Sequence, residues 1–150
     1  SISMKKIFFI AMVIAFASCT SKQVTYENIS ANGWKLVDFV CDTESTVNED
    51  MNMFIKFTDS VSVAGNTQCN LFIGKYAINE CELTISNIGS TKMFCGEDKE
   101  QFEQNYLNAL SNTFEAKISS NGEELILTNK EKGVEIKYIK FDGDIPSEIK

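Results

Sequence analysis

The sequence predicts a mainly β fold: a small antiparallel sheet of about seven to eight strands that curls toward a barrel, with one inserted α-helix. Three observations predict it. Apolar and polar residues alternate along short segments separated by turn formers. Only one segment, near residues 98–110, has helical spacing instead. Asn121-Gly122, between two such short segments, is a strong hairpin signal.

The elements follow in order from Asn32. Trp34 to Val40 alternates well enough for a strand, and Asp42 to Asn52 is acidic and polar, a loop. Met53–Phe57 and Ser60–Ala64 read as two strands around a turn at Thr58-Asp59, and Gly65-Asn66-Thr67-Gln68 breaks the pattern. Leu71–Ile78 is a further strand whose internal Gly74 suggests a bulge or a close backbone approach. Cys81–Ile88 alternates again. In Asp98–Leu110, Phe102, Tyr106, Leu107 and Leu110 form one apolar stripe, with Glu97, Asp98 and Glu100 at the positive end of the helix dipole. Strands resume at Thr113–Ile118, Leu125–Thr128 and Val134–Phe141; in the last, Val134, Ile136 and Tyr138 share a face.

The N-terminal end has a different character. Lys5 and Lys6 precede an apolar run, Ile7 to Phe16, of about ten residues, the length of a signal-peptide core and too short to span a bilayer. Phe16-Ala17-Ser18-Cys19 then matches the lipobox of bacterial lipoproteins. The expectation is a signal peptide over 1–18, cleavage before Cys19, a lipid on its thiol, and a polar tether over 19–31. The domain proper then covers 32–141 and a polar tail 142–150. The anchor makes a membrane the first expected partner. The expected location is the cell envelope, at the outer membrane of a Gram-negative bacterium.

Composition narrows the function. There is no His, and all 14 basic residues are Lys. Without His, Ser-His and Cys-His nucleophile pairs and His-ligated metal sites are impossible; without Arg, bidentate anion clamps are missing. The chain is therefore expected not to be an enzyme, with no catalytic residues, no metal and no cofactor. Taking Lys5 and Lys6 from the 14 basic residues leaves 12 against 21 acidic ones, a net charge near −9. Nucleic acid is a poor partner for such a surface. Once Cys19 is assigned to lipid, Cys41, Cys69, Cys81 and Cys95 form an even set in an exported chain, which suggests disulfides; three pairings are open. No C-x-x-C clip supports zinc. Residues 65–69 lack the ending of a phosphate loop. Glu97, Asp98, Glu100 and Glu103 read as a solvated helix face rather than a cation site. The many Phe rings read as a filled core rather than a ligand cavity.

Several pieces in this order resemble the META/HslJ domain family. They are Trp34-Lys35-Leu36, Phe57, Val61 to Tyr76, Leu83-Thr84-Ile85, Ile88 to Cys95, the helix with Tyr106 and Leu110, and Leu125-Ile126-Leu127. The motif residues are Trp34, Gly65, Cys69, Asn70, Gly74, Tyr76, Thr91, Met93 and Cys95. Gln68 stands where the family usually has Gly, Phe94 replaces a small residue, and Cys41 and Cys81 are extra. The resemblance implies lipocalin-like topology and a Cys69–Cys95 disulfide, leaving Cys41 to pair with Cys81 in the same reading. It links the chain to heat-inducible envelope proteins without an established activity. The motif residues are expected to have structural roles: Gly65 and Gly74 in turns or bulges, Asn70 and Thr91 bonding backbone, Trp34 as a core anchor. The leading expectation is a non-enzymatic envelope lipoprotein with a binding or stress-maintenance role. A carrier of a small apolar ligand in a β-barrel cavity is one alternative. An inhibitor of a cationic envelope-attacking enzyme such as lysozyme is another.

Overall fold

A computed structural model describes residues 21–42, 44–45, 47–48 and 50–143. The signal-peptide reading, Cys19 and most of the C-terminal tail lie outside the described residues. The elements are β1 (Lys22–Gln23), α1 (Tyr26–Ser30), β2 (Gly33–Cys41), β3 (Glu44–Ser45), β4 (Phe54–Phe57) and β5 (Ser62–Asn66). They continue with β6 (Leu71–Asn79), β7 (Glu82–Ser90), α2 (Glu97–Leu110), β8 (Thr113–Ile118), β9 (Glu124–Asn129) and β10 (Val134–Phe141).

Every pairing is antiparallel, in the order β8-β7-β6-β5-β4-β2-β10-β9, and β9 returns to β8, so eight strands close a ring. The short β1 adds to β8, and β3 to β2. This is the mainly β, curled sheet with an inserted helix that the alternation predicts. The register defines two rims. One carries the 119–123 turn, the β4–β5 turn, the Glu80-Cys81 turn and the Phe141–Gly33 pair. The other carries the Cys41–Val134 pair, the 67–70 turn, the 130–133 turn and the segment after Ser90.

A helix closes each rim. At the first, the segment expected to be a loose tether is part of the domain. Lys22 and Gln23 pair with Ile118 and Lys117, and Val24 and Ile29 are buried. Thr25 caps α1 reciprocally with Asn28, and the Trp34 indole donates to Ile29 O at 2.9 Å. Two apolar residues five apart in a polar stretch carry no readable period, so burial rather than pattern organises this segment. At the second rim, α2 drops Tyr106 and Leu110 into the ring and sets Phe102 and Tyr106 edge-on against Phe39.

The interior is filled. Trp34, Phe57, Phe72, Phe114, Tyr106 and Tyr138 are almost wholly buried. The Tyr106 and Tyr138 hydroxyls meet at 2.6 Å inside it. Burial pushes both phenols well above their usual value. A raised native value means the associated stability is complete below the unfolded tyrosine value of about 10 and is lost as pH rises beyond it. Alkaline titration should therefore show the tyrosinate absorbance of this pair appearing together with loss of β-sheet circular dichroism. Ionisation ahead of unfolding would contradict that.

Local chemistry refines two boundaries. Gly65 and Asn66 continue β5 rather than ending it. Gly65 is not a turn residue: a Cβ there would fall 2.3 Å from Phe54 O and 2.6 Å from the Phe72 ring, so the position is a close approach. Asn66 substitutes its side chain for a ladder partner, accepting from Phe54 N at 2.7 Å and donating to Asn52 O at 2.9 Å. Gly74 does sit at the irregularity where β6 slips against β7. The β4–β5 turn is held by Asp59, whose Oδ1 accepts from the Val61 and Ser62 amides. The Val61 bond foremost holds this carboxyl below its usual value.

Candidate functional site

The second rim carries a buried polar knot around Asn70. Its turn is short because Thr67 and Asn70 close on each other: Thr67 N donates to Asn70 O at 2.9 Å, and Asn70 N donates to Thr67 Oγ1 at 3.1 Å. Between them Gln68 adopts φ +74°, the left-handed backbone that Gly takes most easily. Gln68, which stands where the resemblance has Gly, takes up this left-handed backbone itself.

The Asn70 amide uses all its capacity. Its Nδ2 donates to Glu103 Oε1 and Oε2 at 3.0 and 2.9 Å and to Met93 O at 3.1 Å. Its Oδ1 accepts from Thr91 Oγ1 at 2.7 Å and Met93 N at 2.8 Å. Thr91 Oγ1 in turn accepts from Leu71 N at 3.0 Å. Thr67 Oγ1 donates to Glu103 Oε2 at 2.5 Å. Beside the knot, Cys69 and Cys95 form a disulfide. One side chain thus ties the 67–70 turn, the 91–95 segment and α2 together, and the disulfide binds the same two segments covalently.

Glu103 corrects the reading of the helix acids. It is buried, at 8% exposure, while Glu97, Asp98 and Glu100 are exposed. The signal was in the spacing: Glu103, Tyr106, Leu107 and Leu110 stand at i, i+3, i+4 and i+7, so Glu103 heads the buried stripe. A carboxylate at an apolar position needs donors, and the T-x-x-N turn supplies two neutral ones.

Cys41 and Cys81 are a second correction. Both are free and exposed, so the expected bridge between them does not form. Cys41 ends β2 on the α2 rim, and Cys81 lies in the β6–β7 turn on the α1 rim. β2 and β7 stand four positions apart around the eight-strand ring in either direction. Disulfides need Cα atoms within about 7 Å, less than two strand spacings.

The other motif residues have structural positions. Trp34 is buried in the core. Tyr76 is buried against Phe57 and donates its hydroxyl to Asp59 O at 2.6 Å. Thr91 and the Met93 backbone belong to the knot, whereas the Met93 side chain is half exposed and Phe94 is 67% exposed. The knot thus presents an apolar pair on a fixed loop. Next to it, a cleft of about 470 Å³ is lined by residues that include Thr67, Gln68, Asp98, Lys99 and Phe102. Another, of about 530 Å³, opens between β2 and α2 and includes Cys41, Asn105 and Lys132. In the knot, both Glu103 oxygens are taken by the Thr67 hydroxyl and the Asn70 amide, an arrangement that positions backbone.

The family model described as the META domain matches residues 27–140. No curated protein matches the sequence. Among solved structures, a Burkholderia xenovorans protein determined by NMR superposes with a TM-score of 0.65 at 18% identity, covering 80% of this chain and 90% of that one. A DUF4847 family protein from Bacteroides vulgatus superposes with a TM-score of 0.57 at 16% identity, covering 80% of this chain and all of that one. Likenesses at this identity establish the shared fold.

Proposed function

Because the chain belongs to the META domain family, we propose that it is a non-enzymatic binding or stress-maintenance module of the cell envelope. In this reading a lipid on Cys19 holds it to a membrane, the outer membrane of a Gram-negative bacterium. The observation that carries the proposal is the Cys69–Cys95 disulfide built into the Asn70 knot. Such a bond persists in oxidising compartments outside the cytosol. The apolar run Ile7 to Phe16, closely followed by Cys19, agrees with it. The absence of His and Arg from the sequence supports a role without catalysis. A carrier of an apolar ligand has less support, because aromatic side chains fill the ring. Binding surfaces are better sought at the rims.

Cys19→Ser tests the anchor. Full-length protein expressed in a Gram-negative host should sediment with membranes and carry acyl mass on a chain starting at Cys19. The variant should lose that mass and leave the membrane fraction. An unlipidated wild-type chain in the soluble fraction would end the proposal.

A further inference from the structure

We propose that the α1 rim of the ring is the surface held against the bilayer, so that the α2 rim, with the Asn70 knot and its exposed apolar loop, faces away from it. This rests on the lipid reading of Cys19. The folded domain begins almost at the anchor: Lys22 already pairs with Ile118, and Val24 and Ile29 are buried. Three peptide links separate Cys19 from Lys22, a reach of at most about 11 Å. The ring is taller than that. Nine-residue strands such as β6 run about 25 Å, or about 20 Å along the axis of a tilted ring. A leash so short, fixed at one rim, keeps that rim at the lipid headgroups and the other beyond its reach.

The side chains at the near rim suit such a place. Tyr26 on α1 is exposed, and so is Lys22, four residues before it. A ring with a polar tip and a flexible lysine are both at home between headgroups and water. The net charge near −9 opposes electrostatic adhesion to anionic lipid, so the leash, not attraction, sets the orientation.

The two free thiols mark the two rims and make the test direct. Lipidated protein carrying Cys41→Ser or Cys81→Ser keeps one reactive thiol, at the near rim or the far rim respectively. Each is labelled with a fluorophore and reconstituted into phosphatidylethanolamine–phosphatidylglycerol vesicles containing a headgroup nitroxide lipid. The dye on Cys81 should lose most of its emission and the dye on Cys41 little. Equal quenching, or stronger quenching at Cys41, overturns the orientation. A ten-residue Gly-Ser insertion between Ser21 and Lys22 should abolish the contrast; its survival overturns the leash as the cause. Protein that fails to float with the vesicles counts against the lipid reading itself, and the orientation falls with it.

Discussion

Asn70→Asp should lower stability by about 3 kcal/mol at neutral pH, the cost of stranding buried polar groups and facing two carboxylates. In the native knot Nδ2 stands 2.9–3.1 Å from both Glu103 oxygens and Met93 O. The substitution puts a carboxylate oxygen there while preserving shape. Two carboxyl groups so close share a proton, so the pair binds it at a higher pH when folded than when unfolded. A value raised on folding gives stability that is complete in acid and lost as pH rises. The deficit should therefore be largest near pH 7 and shrink toward about pH 4. Asn70→Ala removes the same bonds without adding charge, so its deficit should change much less with pH. Urea denaturation of the three proteins at both pH values decides the matter. Parallel behaviour of the two variants would mean that Glu103 does not face position 70.

Loss of the Cys69–Cys95 bond should cost roughly 3.5 kcal/mol, the chain-entropy value for a loop of this length. The double variant Cys69→Ala, Cys95→Ala and reductant acting on the native protein should give similar decreases in urea midpoint. The effect should not add simply to that of Asn70→Ala, because both restrain the 91–95 segment against the 67–70 turn. Among the described residues, Cys41 and Cys81 should be open to alkylation in unreduced protein, and Cys69 and Cys95 closed, by peptide mass mapping. A wild-type midpoint indifferent to reductant would contradict this expectation.

Much of the ring was legible in the sequence, for definite reasons. β10 spans the Val134–Phe141 segment that alternation marks, and α2 begins one residue before the predicted Asp98. Both buried stripes repeat often enough to be read. β1 and α1 were not legible: their few residues are organised by the sheet edge, a cap and two buried apolar side chains. Glu103 was hidden by residue type, since a carboxylate is ordinarily read as exposed whatever its spacing. Gly65 and Asn66 looked like a break because the pattern is silent about a glycine required by a neighbouring ring or an amide standing in for backbone. The Cys69–Cys95 pairing came from resemblance; extending the same logic to Cys41 and Cys81 failed because an even count constrains chemistry, not position.

The closed ring has a consequence for life at high density. An open sheet invites copies to stack edge to edge, with each strand a template for the next. Here the first and last strands of the ring bond to each other. Among the described residues, only the two-residue strands β1 and β3 project beside the closed circuit. Crowded copies thus find no free end strand on which to polymerise, and strand edge is left only where ring neighbours part, as in β7 beyond Thr84, which β8 does not pair. Recognition falls to side chains on turns and helices, which can diverge in sequence while the hoop that carries them stays unchanged.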